Sequence, residues 1–99
     1  MTASKTELAI HPEERNLVDD RMLLASRFAE CLRRLSASAD RLGMQDLAEA
    51  LGDVSRCLDR MAYDIAVADC GSLILGRAAR LVGIVENVVA AKERLAGLH

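Results

Sequence analysis

The residues of this chain that are able to do chemistry are few and poorly spaced for it. Its three cysteines, Cys31, Cys57 and Cys70, form no Cys-x-x-Cys pair. A structural zinc site takes four ligands, usually cysteine and histidine. The two histidines, His11 and His99, stand near the chain's ends and bring no local ligand spacing with them. Carboxylate metal sites in helical bundles use inward glutamates with Glu-x-x-His, and that motif is missing from the sequence. Nucleophile elbow, glycine-rich phosphate loop and Cys/His acyl-transfer pattern are missing as well. The reading is therefore non-enzymatic, with no catalytic residue, no metal ligand and no cofactor assigned. The cysteines read as small reduced thiols packed between helices of a cytoplasmic protein.

Charge narrows the partners. Thirteen basic and fifteen acidic side chains are interspersed, for a net charge of −2. A general nucleic-acid or membrane-surface binder shows a basic face instead. One local pattern points the other way. Leu47-Ala48-Glu49-Ala50-Leu51-Gly52, with Leu58 and Met61 beyond it, resembles a bacterial helix-turn-helix over residues 44–63. The resemblance implies a turn at Gly52 and a recognition helix whose Arg56 and Arg60 reach the DNA major groove. Asp53 departs from that pattern, because such motifs want an apolar residue there.

The elements that would position any site are helical. His11-Pro12-Glu13-Glu14 is a helix start. Proline suits the first helical position, and the two glutamates face the positive end of the helix dipole. Residues 1–11 read as a flexible arm ahead of one domain spanning 12–99. From Pro12 to about Leu42, Leu17, Leu24, Phe28, Cys31, Leu35 and Leu42 form an apolar seam, widened by Val18, Ala25, Leu32 and Ala39. Gly43 ends that helix, and Asp46 is the expected cap of the next. Met44, Leu47, Leu51, Val54, Leu58, Met61, Ile65 and Ala68 then keep an unbroken 3,4 heptad spacing, which predicts one continuous second helix. Beside that seam, Ala48, Ala50, Ser55, Cys57 and Ala62 are small enough to admit a close neighbour. Gly71 and Ser72 mark the next break, with Ser72 as cap.

The third helix is apolar over far more than one stripe. Between Ser72 and Leu95 its apolar residues sweep roughly 180–200°, where a surface helix needs little more than about 100°. Two covers are required. Arg77, Arg80, Glu86 and Asn87 within it argue against a membrane span. The expectation is an all-α fold of three long antiparallel helices in a coiled-coil-like bundle, dimeric through the third helix. Ile74, Leu75, Ala78, Leu81, Val82, Val85, Val88 and Val89 are the predicted interface. Functionally the chain reads as a small protein–protein interaction module, an adaptor, inhibitor or regulator of another protein. A DNA-binding regulator using residues 44–63 is the alternative.

Overall fold

The computed structural model describes residues 12–97, and all regular structure there is α-helical. The helices are α1 (Pro12–Arg41), α2 (Gln45–Arg60), α3 (Ala62–Val67) and α4 (Gly71–Gly97). The first runs 30 residues, about 45 Å at roughly 1.5 Å per residue. It is the spine of the molecule. The predicted arm, residues 1–11, lies outside the described residues.

The α1–α2 turn is built by Gly43. Its φ is +81°, a left-handed conformation that costs a glycine little. The Met44 N–H donates to the Ala39 carbonyl at 2.9 Å and the Gly43 N–H to the Asp40 carbonyl at 3.1 Å. These two bonds satisfy carbonyls that the end of α1 would otherwise leave open. Asp46 is not the cap of α2. Met44 holds that position with no side-chain bond, and Asp46 sits in the first turn, at the positive end of the dipole.

From that turn α2 runs back along α1 at close range. The facing positions are mostly small: Ala25, Ala29 and Ala39 on α1 against Ala48, Ser55 and Ala62. Two serines exploit the short separation. Ser36 Oγ donates to the Ala48 carbonyl at 2.6 Å, and Ser55 Oγ donates to the Ala29 carbonyl at 2.7 Å. One bond crosses from α1 to α2 and the other from α2 to α1, seven residues further along each helix. The antiparallel register is thereby fixed twice. Leu32, fully buried, anchors the apolar cluster with Leu51, Leu58 and Ile65. Of the small residues expected at this contact, Ala48, Ser55 and Ala62 are buried, while Ala50 and Cys57 are exposed.

The second helix is not continuous. Met61 interrupts it, with φ −103° and ψ 14°, and separates α2 from the short α3. The Met61 N–H still bonds Cys57 and its carbonyl still accepts from Ile65, so the axis carries on past the break. Heptad spacing runs straight through Met61 with no proline or glycine there, so periodicity carried no sign of it.

The larger departure is the course of the last helix. In a three-helix bundle it would fold back into the furrow between α1 and α2. Instead α2 and α4 do not touch; α4 packs on α1 and on α3. Ser72, at its start, lies beside Arg21 near the beginning of α1. Running back would give a body about as long as α1, roughly 45 Å, but the molecule measures 72 × 18 × 16 Å. Thus α4 continues in the direction of α2 and α3, antiparallel to α1, and its far half extends past the start of α1. The bundle is a long rod rather than three helices side by side.

Two residues make the α3–α4 corner. Gly71 is buried, and a Cβ there would overlap the carbonyl oxygen of Ile65, so glycine is required for space. Arg21 donates to the Ala66 carbonyl at 3.2 Å and to Ser72 Oγ at 2.9 Å. A cation at the negative end of α3 fits the dipole. Ser72 is therefore a partner of Arg21 rather than the cap of α4.

Candidate functional site

Helical geometry gathers many of the exposed apolar residues onto one side of the rod, while Leu23, Tyr63 and Val67 are exposed elsewhere. On α4 the buried positions include Leu75, Ala78, Val85 and Val89. Leu73, Ile84, Val88 and Leu95 are 57%, 54%, 45% and 61% exposed. At about 100° per residue these four share an arc of roughly 60°, more than 100° round from the buried line. On α1 the exposed Leu17 and Leu24 continue into half-buried Phe28, Cys31 and Leu35, about 90° to one side of the buried alanines. Val54 on α2 and Met61 at its end are exposed as well. Because α2 and α4 both run antiparallel to α1, all three lines turn toward the same side.

The opposite side is polar. Arg33, Ser36, Asp40, Glu49, Gly52 and Arg56 line an open groove between α1 and α2. Its two arginines are paired on their own helices, Arg33 with Glu30 and Arg56 with Asp53. Exposed pairs of this kind contribute little, about 0–1 kcal/mol each. Nothing in the groove converges on a common point.

Of the predicted interface residues, Leu75, Ala78, Val85 and Val89 lie in the chain's own core. Ile74, Leu81 and Val82 are half-buried against it, and Val88 alone of the set is exposed. The reason is geometric. The middle of a wide apolar arc is what the chain folds onto itself, and an edge of the arc is left over. That edge holds Leu73, Ile84 and Leu95, which lie outside the predicted set. A similar shift occurs on α1, where the seam of large residues is the flank and the alanines beside it are the core.

For the DNA-binding alternative, α2 is helical through Gly52, so the turn that a helix-turn-helix needs is not there. Arg56 is paired on its own helix, and Arg60 is the last residue of α2. The cysteines stay apart: Cys31 is half-buried, while Cys57 and Cys70 are exposed rather than packed between helices. Cys57 Sγ lies 3.7 Å from Met61 Sδ. Among the described residues no three of His, Cys, Asp and Glu come together, and no helix is long and apolar enough to cross a membrane.

Set against protein-family models, curated proteins and solved structures, the chain matches none of them.

Proposed function

We propose that this chain is a non-catalytic protein–protein interaction module that acts as a homodimer, serving as an adaptor, inhibitor or regulator of another protein. One observation carries the reading. Large apolar side chains from α1, α2 and α4 stand exposed along a single side of a 72 Å rod. Contiguous exposed apolar surface of this extent marks an interaction site on a protein that otherwise covers its core. The groove between α1 and α2 on the opposite side remains available to a second partner or to solvent.

Light scattering after size exclusion tests the homodimer. A dimer is the expected result for the unmodified chain, and a monodisperse monomer at micromolar concentration would overturn that part. Ile84→Asp should return the chain to monomer while leaving its helicity unchanged. A mobility-shift assay across salt concentrations addresses DNA. Retardation that falls steeply with salt would favour the DNA reading, and none is expected.

A further inference from the structure

Two apolar lines share one spacing; Leu24, Ile84, Val88 and Leu95 are exposed in them, and Phe28, Cys31, Leu35 and Ala91 are half-buried. On α1 the line is Leu24, Phe28, Cys31 and Leu35; on α4 it is Ile84, Val88, Ala91 and Leu95. Both are spaced 4, 3, 4, so the α4 residue is always sixty positions on from its α1 counterpart. Within one chain they cannot meet. The first line lies on the hairpin half of the rod and the second on the half of α4 that extends the other way, so Cys31 and Ala91 sit about 40 Å apart at roughly 1.5 Å per residue. The stretch of α1 bearing the first line also has its outer flank bare of α4, because α2 and α4 do not touch.

We infer that the cover is a second copy of this chain, arranged about a two-fold axis with the far half of α4 from each copy laid parallel against the α1 line of the other. This rests on the homodimer reading above and adds its register. The arrangement is self-consistent. Ser72 lies level with Arg21 in one chain, and the sixty-residue offset sets the level of the partner's α4. Together they place the axis beside Leu17, which is 49% exposed. Leu24 then meets Ile84, Phe28 meets Val88, Cys31 meets Ala91 and Leu35 meets Leu95, each pair occurring twice. Val54 and Met61 flank the furrow that the incoming helix enters. The partner's helix thus takes the place that a third helix would hold in a compact bundle. A matched 3,4 spacing is what lets two helices interdigitate along a common seam. The same offset brings Arg77 opposite Leu17, where its methylene stem can lie along an apolar side chain with the guanidinium in water.

A native cysteine makes the register testable. With Cys57→Ser and Cys70→Ser in place, Ala91→Cys leaves Cys31 and the new thiol as the only pair. A disulfide needs Cα atoms no more than about 7 Å apart, which the inferred dimer provides between copies and a single rod does not. Mild oxidation should convert most of the protein to a disulfide-linked dimer on a non-reducing gel. Adding Cys31→Ser should cut that cross-link at least tenfold. Ala90→Cys, one residue away and turned about 100° off the line, should cross-link at least tenfold less. Equal cross-linking at 90 and 91 would overturn the register. A dimer in light scattering whose cross-link survives Cys31→Ser would also overturn it, yet would leave the homodimer standing. A monomer in light scattering would remove both.

Discussion

Where α1 meets α2 and α3, Ala25, Ala29, Ala39, Ala48 and Ala62 are buried around Leu32, Leu51 and Leu58; along the outer side of α4, Leu73, Ile84, Val88 and Leu95 are exposed. Both regions are regular amphipathic helix. Alanine contributes little apolar area, but it lets backbones approach until Ser36 and Ser55 can reach across to carbonyls. The larger side chains of α4 carry more apolar area and keep it in water. Burying a Leu or Ile fully is worth about 1.5–3 kcal/mol, so the bulkier line holds the greater unused gain. Size of side chain alone does not decide which face becomes the core here; closeness of fit counts as well.

Substitutions can break or sharpen this contrast. Leu32→Ala removes the one large side chain buried completely at the tight contact. It should cost about 3 kcal/mol in denaturant unfolding, with a cavity too hemmed in to collapse. Gly71→Ala sets a methyl against the Ile65 carbonyl oxygen, and about 2 kcal/mol should be lost as the α3–α4 corner shifts. Ser55→Ala deletes one of the two crossing hydrogen bonds and should lower stability by about 1 kcal/mol. Gly52→Ala should do the reverse. Its added methyl meets Arg56 at 3.4 Å and Ser36 Oγ at 3.7 Å, near ordinary contact, so roughly 0.5–1 kcal/mol should be gained in mid-helix. A loss there would contradict the continuous α2. Smallest of all, Ile84→Ser should change the unfolding free energy of isolated monomer by less than about 0.5 kcal/mol, measured where the chain is dilute. A large loss would mean that the outer side of α4 is core after all.

Much of this was legible in the sequence. Gly43 and Gly71 punctuate the chain where the structure turns, and Ala48, Ser55 and Ala62 announced a close neighbour. The excess apolar arc of α4 was legible too, because its width exceeds what one contact covers. Choosing the edge that stays open was not. A helical wheel weights leucine over alanine, so the α1 seam was centred on Leu24, Phe28 and Leu35 and the interface on Leu75 and Val85. Which line a helix buries depends on how near its neighbour comes, and spacing alone does not carry that. The course of α4 was hidden for a related reason. A short connection such as 68–70 suits a helix that folds back and one that carries on. The corner is settled by Gly71 against Ile65 and by Arg21 reaching both sides of it. Those are contacts between residues far apart in sequence.

The Gly43 turn has a consequence for how the chain acquires its shape. Contacts that tie the chain to α1 span sequence separations of 12 at Ser36–Ala48, 26 at Ala29–Ser55, 45 at Arg21–Ala66 and 51 at Arg21–Ser72. Each is nested outside the one before. Once the inner pair has formed, the next closes only a short additional loop, and even a doubling of free loop length costs only about 0.6 kcal/mol. Folding can therefore proceed like a zip from Gly43 outward, a low-contact-order route of the kind that runs fast. The zip runs out along α4, whose far half is the last piece to be laid down. Amide hydrogen exchange should follow that order in reverse, quickest near Gly97 and slowest around Leu32 and Leu51.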